Sequence, residues 1–192
     1  MGWHWGILAA SGSGLGSAYD LIQSTTLSNA VQTVTFTGID SLTGYKHLQL
    51  RISARATTPA ALGANLRMRF NYDITATSND GNFFNLGAAT SQTTANTAQN
   101  IMLIPNGLPA ATSTSNLWGT FVIDILDFSS TAKRKSWKAI ATAGYDSTLP
   151  DGRMAIGSGL WSSTTAISTI ELSTPTNEFV ASSRFGLYGV KA

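Results

Sequence analysis

Alternation of apolar and polar residues at a spacing of two is the feature that most limits what this chain can fold into. Between 47 and 55, Leu48, Leu50, Ile52 and Ala54 fall on one side, and His47, Gln49, Arg51, Ser53 and Arg55 on the other. Leu66, Met68, Phe70 and Tyr72 repeat the arrangement against Arg67, Arg69 and Asn71. A helix would scatter these sets around its circumference, whereas a strand gives each set its own face. Strands are likewise expected over 19–27, 31–36, 99–104, 118–128, 136–143, 153–161, 167–172 and 183–190, and no segment reads as a helix. The mostly apolar run 118–128 is expected to be central. Turns are expected at Ser129-Ser130, Pro150-Asp151-Gly152 and Pro175-Thr176-Asn177, and Pro105-Asn106-Gly107 is expected to close the strand before it. The polar stretch 73–98, anchored only by Phe83, Phe84 and Leu86, reads as a long loop. About nine or ten short strands divided by turns predict an all-β fold, an antiparallel β-sandwich in jelly-roll form, with an extended N-terminal arm.

The arm is set off by composition. Residues 1–18 hold Trp3 and Trp5, two of the five tryptophans, followed by the Gly/Ser run Ser11-Gly12-Ser13-Gly14-Leu15-Gly16-Ser17. Such a run is a flexible connector. The organisation expected is therefore an anchoring arm and hinge over 1–18 and a single β-sandwich domain over 19–192. An apolar arm that dangled in water would cost solubility, so it should dock, either on its own domain or on a partner. The candidate partner-binding residues are Trp3, His4, Trp5, Ile7 and Leu8.

Of the 192 residues, 43% are hydrophobic and only 11% charged, about half the usual charged share of a soluble domain. Ser, Thr, Gly and Asn fill the polar positions, which suits a surface partly covered by neighbours. The net charge of +2 is spread along the chain. The one basic cluster, Lys133-Arg134-Lys135 with Lys138, reads as a solvated loop rather than a nucleic-acid site. The absence of cysteine excludes a disulfide scaffold, thiolate metal ligands and a cysteine nucleophile. No apolar run reaches the roughly 18 residues of a membrane span, and the N-terminus lacks the pattern of a signal peptide.

Catalytic chemistry finds little purchase. His4 lies in the apolar arm and His47 on a polar strand face, and no imidazole or thiolate cluster suggests a metal. Asp124 and Asp127, three apart, would point to opposite faces of a strand rather than converge as an acid/base pair. Asp80 with Asn79 and Asn82 reads as a turn before it reads as a calcium loop. Gly12-Ser13-Gly14-Leu15-Gly16 has the wrong glycine spacing for a dinucleotide fingerprint and no lysine follows it. Ser158, in Gly157-Ser158-Gly159, lacks the spacing of a nucleophile elbow. Among the tryptophans, Trp118 and Trp161 read as core, and Trp137 is the one held open for stacking against a sugar. The expectation is no catalytic residue, no cofactor and no metal: a protein that is not an enzyme.

Three segments in order carry a resemblance: Val122-Ile123-Asp124-Ile125-Leu126-Asp127-Phe128, Ser158-Gly159-Leu160-Trp161, and Ser183-Arg184-Phe185-Gly186-Leu187-Tyr188-Gly189-Val190-Lys191. With the opening Trp-His-Trp-Gly and Tyr45-Lys46-His47-Leu48-Gln49-Leu50-Arg51, they resemble a family of small β-sandwich proteins encoded among virion genes of tailed bacteriophages, many of them cyanophages and other marine phages. The match is weakest over 73–116. The resemblance implies a structural protein of the virion, assembled in the host cytoplasm, with other virion proteins (a major capsid protein or a tail protein) as partners and a homo-oligomeric state. It implies no membrane and no catalytic residues. Capsid cement held through the N-terminal arm is the leading expectation, and a tail or fibre component that binds a receptor glycan is the alternative.

Overall fold

The computed structural model describes residues 18–75, 78–86, 91–99, 101–145 and 152–191, so the arm residues Trp3, His4, Trp5, Ile7 and Leu8 lie outside the described part. Twelve strands follow one another: β1 (Tyr19–Thr26), β2 (Thr33–Phe36), β3 (His47–Ala54), β4 (Gly63–Phe70), β5 (Asn79–Leu86), β6 (Ser91–Gln99), β7 (Met102–Pro109), β8 (Gly119–Ile125), β9 (Lys135–Gly144), β10 (Gly152–Trp161), β11 (Ile170–Ser173) and β12 (Arg184–Val190). Among the described residues, the one helical element is a 3₁₀ turn, Ile39–Ser41. The strands form an eight-stranded sheet, β1-β12-β3-β8-β9-β10-β5-β6, and a four-stranded sheet, β2-β11-β4-β7, and every pairing is antiparallel. The two sheets pack face to face as a β-sandwich.

Setting aside the hairpins β5–β6 and β9–β10, the other eight strands pair in nested fashion. The first pairs with the last (β1·β12), then β2·β11, β3·β8 and β4·β7. Both hairpins extend the larger sheet beyond β8. At its opposite edge, the ends of the domain are fastened together. Asp20 accepts from Lys191 Nζ (2.6 Å) and from the Tyr45 hydroxyl (3.0 Å), and the Lys191 amide donates to the Ala18 carbonyl (3.1 Å).

The period-two reading places the core correctly. Leu48, Leu50, Ile52 and Ala54 are all buried, as are Leu66, Met68 and Phe70. In the small sheet, Phe36, Ile170 and Phe70 align across three strands, and Val34, Leu172, Met68 and Met102 across four. They face rows such as Leu187–Leu50–Ile123–Ala139–Gly157–Phe83 in the large sheet. Along these rows side chains shrink to Ala and Gly on β9 and β10. That makes room for Phe83 and Trp137, whose rings pack 5.6 Å apart.

Three expectations are corrected. The stretch 73–98 is not a loop: β5 and β6 form a hairpin within it, and alternation is present in Phe83 (buried) against Phe84 (exposed). Its amide- and threonine-rich composition hid a strand whose ladder is made by backbone. Pro105-Asn106-Gly107 does not end a strand either. It sits inside β7, where register shifts between Ala64 and Leu66 of β4. A proline is tolerated there because β7 is an edge strand. Tyr72 lies beyond β4 and is exposed. Asn71 and Tyr72 both turn left-handed, and the Asn71 side chain holds the turn by accepting from the Ser168 (2.8 Å) and Thr169 (3.1 Å) amides and donating to the Ala166 carbonyl (2.9 Å).

Gly157-Ser158-Gly159 now has a structural meaning. Both glycines face inward on β10, where a methyl on Gly157 would overlap Phe83 and one on Gly159 would overlap the Trp137 ring and the Asp80 carbonyl. Ser158 faces out. Gly159→Ala is expected to cost about 1–3 kcal/mol through overpacking, read as a lower urea midpoint. Ser158→Ala should change stability by no more than about 0.5 kcal/mol.

Candidate functional site

Among the described residues, the two carboxylates singled out in the sequence, Asp124 and Asp127, do not converge. Asp124 is the last residue but one of β8 and lies on its outer face, where it accepts from Gln49 Nε2 (2.8 Å) and pairs with Lys138 (3.4 Å). Asp127 is two residues past the strand in a left-handed turn and pairs with Lys133 at 3.0 Å. Its backbone amide donates to Nδ1 of His47 at 3.0 Å. The hydrogen bond from Lys133 holds the Asp127 carboxyl below its ordinary value, outweighing the upward push of burial. Asn79, Asp80 and Asn82 lie on a strand rather than in a loop, with Asn79 turned inward and the other two outward. Among the described residues, no group of three or more His, Cys, Asp or Glu side chains comes together.

Two tryptophan assignments change. Trp137, the candidate for sugar stacking, is only 2% exposed and belongs to the core, because odd-numbered positions of β9 face inward. Trp118 is half-buried rather than core, and lines a surface hollow with Arg153 and Met154. Trp161 is buried, edge-on to Phe70 at 5.5 Å. Its indole N–H donates to Asp73 at 2.8 Å.

The basic cluster is split by the strand pattern. Lys133, Arg134 and Lys138 are exposed, but Lys135 is fully buried. Its ammonium donates to the carbonyls of Ser130, Lys133 (2.9 Å) and Thr164 (2.8 Å), and burial pushes its pKa down. Arg55 works in the same way. Its guanidinium donates to the carbonyls of Ala110, Ser113 and Thr114 (each 2.8 Å) and of Leu117 (3.2 Å). These two cations supply donors to loop carbonyls that no strand can satisfy. Nothing in a run of three basic residues marked one of them as internal, except that Lys135 is in phase with Trp137 and Ala139.

What the structure does bring together is an apolar surface. Val122, Ile140, Ile156 and Phe84 are direct cross-strand neighbours on β8, β9, β10 and β5. They point away from the small sheet and are 41%, 51%, 45% and 43% exposed. Together they show on the order of 300 Å², at the lower end of the largest apolar patch on a typical monomer, which is often functional. Arg51 continues the row beyond Val122, its guanidinium between the rings of Tyr19 (5.3 Å) and Tyr188 (4.6 Å). Beside the row runs the polar line Gln49–Asp124–Lys138–Ser158–Asn82. Where row and line meet over β10 and β5, an open hollow of about 720 Å³ is lined by Phe84, Ile156, Asn82, Ser158, Thr93 and Lys138. The outer face of the small sheet is different in kind, with Thr35, Glu171 and Arg69 in register and Arg69 paired to Glu171 at 3.3 Å.

Sequence reasoning assigned Val122 to a central strand and did not single it out as a surface residue. The exposed row was visible only as an apolar residue at every outward position of one register, which requires the pairing to be known. No protein-family model matches the chain, and no curated protein matches it.

Two outcomes follow for the buried groups. Lys135→Met should cost about 3 kcal/mol, because it strands carbonyls in the interior, measured by denaturant unfolding. For Asp73, burial pushes the carboxyl up, but hydrogen bonds from Trp161, the Thr75 backbone and side chain, and Ser78 together hold it below its ordinary 3.8. The unfolded chain therefore binds its proton first. The stabilisation is complete above 3.8 and is lost as pH falls through the lower folded value. Asp73→Asn should lower Tm at neutral pH and flatten the fall in Tm below about pH 4.

Proposed function

We propose that this chain is a non-enzymatic structural component of a tailed-phage virion, in its leading form a capsid cement or decoration protein that is held to the shell through its N-terminal arm, Trp3, His4, Trp5, Ile7 and Leu8. The observation that carries the reading is the exposed row Val122–Ile140–Ile156–Phe84. A chain with so little charge, showing an aligned aliphatic and aromatic row on a rigid sheet, has the surface of a subunit meant to be covered. The nested strand pairs support the reading further. We read them as the winding of a jelly roll, an architecture shared by viral capsid and lectin domains, here with two hairpins added to one sheet. That likeness is one of fold and adds to the resemblance of the strand segments without assigning a role.

A second reading, a tail or fibre component that binds a receptor glycan, is favoured by the hollow beside Phe84. An aromatic ring flanked by the side chains of Asn82, Ser158, Thr93 and Lys138 has the groups that sugars use. Copy number separates the two: a cement protein is present in hundreds per particle and a fibre in a few dozen at most.

The double variant Ile140→Asp, Ile156→Asp alters only outward-facing positions. It should keep a β-type circular dichroism spectrum and remain monodisperse, while incorporation into particles falls at least tenfold. A chain lacking residues 2–10 should likewise fold and fail to incorporate. Normal incorporation of both variants overturns the proposal. Loss of glycan binding with normal particle copy number favours the second reading.

A further inference from the structure

The exposed row lies on a face whose strand order makes it complementary to itself. We propose that two copies of this chain associate through the outer faces of their eight-stranded sheets, about a two-fold axis that runs along the strand direction between β9 and β10. This rests on the reading of the row as a covered surface, and it names what covers it.

The order of the strands supplies the symmetry. β9 and β10 are flanked by β8 and β5, and these in turn by β3 and β6. A two-fold axis between β9 and β10 exchanges the members of each pair and lays every register on the same register of the second copy, as an isologous contact requires. Ile140 then meets Ile156 of the second copy, and Val122 meets its Phe84. The largest side chain of the row is thus set against the smallest, the arrangement by which facing layers interdigitate. Arg51, at one end of the row, comes opposite Thr93 at the other.

The neighbouring registers fit the same axis. On the polar line, Asp124 comes opposite the Asn82 amide of the second copy, and Lys138 opposite its Ser158 hydroxyl. No charge faces its like, whereas an axis along β8 or β9 would set Asp124 or Lys138 against itself. Asp124 and Lys138 are already paired at 3.4 Å within each copy, so covering them leaves no lone charge dry. On the other side of the row, the register Thr120–Thr142–Met154–Leu86 carries no charge at all. The area is adequate too. Six strands at roughly 4.8 Å and three registers at roughly 6.6 Å make a footprint of about 29 Å by 20 Å. Counted over both copies, that is about 1,100 Å², above the roughly 1,000 Å² expected of a specific interface. An axis along the strands also gives the aligned packing that twisted sheets adopt face to face.

Sedimentation of the purified full chain across the micromolar range should show a monomer–dimer equilibrium. In the double variant Ile140→Asp, Ile156→Asp the axis sets carboxylate against carboxylate, and association should weaken at least tenfold. Ile140→Asp and Ile156→Lys, made in separate chains, should each associate weakly alone and at least tenfold more tightly when mixed, since the mixed pair sets a carboxylate against an ammonium. A chain that stays monomeric throughout the range overturns the proposal, as does a dimer that the double variant leaves intact. A mixture no tighter than its two components overturns it as well, because it removes the axis. Particle incorporation is read separately. If the chain is monomeric and the double variant still fails to incorporate, the row meets another virion protein: this proposal fails and the assembly reading stands. If the double variant loses the dimer but incorporates normally, the dimer is supported and the row no longer carries the assembly reading.

Discussion

Two sheets of unequal width share one core, and the wider one has a face that the narrower cannot cover. The inner face is ordered by registers that run through as many as six strands, from Leu187 and Leu50 to Gly157 and Phe83. Burying these rows is the main favourable contribution to folding, and it specifies register, since a slip of one residue would turn every row outward. The same regularity acts on the outer face. Once the inner rows are aligned, the outward residues are aligned as well. Four apolar side chains, scattered from position 84 to position 156, thereby become one continuous surface. The surface is thus a by-product of pairing geometry with a chosen composition, and Asp124, Lys138 and Ser158 on the next line show that polar residues fit the same face.

Charge, so scarce in this chain, is spent where backbone would otherwise be stranded. Strands satisfy their own carbonyls, but the connections 110–118, 127–134 and 162–169 turn several carbonyls toward the interior. Arg55 and Lys135 each sit at the centre of such a group. A cation with several fixed acceptors is held by dipoles rather than by a counter-ion, which avoids burying a second charge. This explains how long loops between short strands can be ordered without helices.

How much was legible beforehand follows from where information resides in a strand protein. The strands at 47–55 and 183–190 declared themselves, because each has one buried face and so alternates. The sandwich followed from their number and their turns. The hairpin β5–β6 did not, since Asn, Thr and Gly give no hydrophobic alternation and its order comes from backbone bonding to β10. Pro105 misled for a related reason: a missing amide matters only if a neighbouring strand needs it, and on an edge none does. Lys135 was misread, and Trp137 stayed open, because local sequence shows a basic patch, whereas the phase of β9 decides which members point inward. The outer row was illegible altogether, as register across four strands is a property of pairing and not of any one segment.

The closure of the domain's two ends has a mechanical consequence. β1 and β12 run antiparallel with Tyr19 beside Val190, and the Asp20–Lys191 pair lies at that junction. Tension applied between Ala18 and Lys191 would meet the ladder end-on and open its hydrogen bonds one after another, as a zip opens. Tension applied between Ala18 and the body of the sheet, by contrast, would load the whole β1·β12 ladder in shear, with all its bonds sharing the force. A domain held by what precedes β1 is thus strong against being pulled away bodily and weak only against traction on its other end.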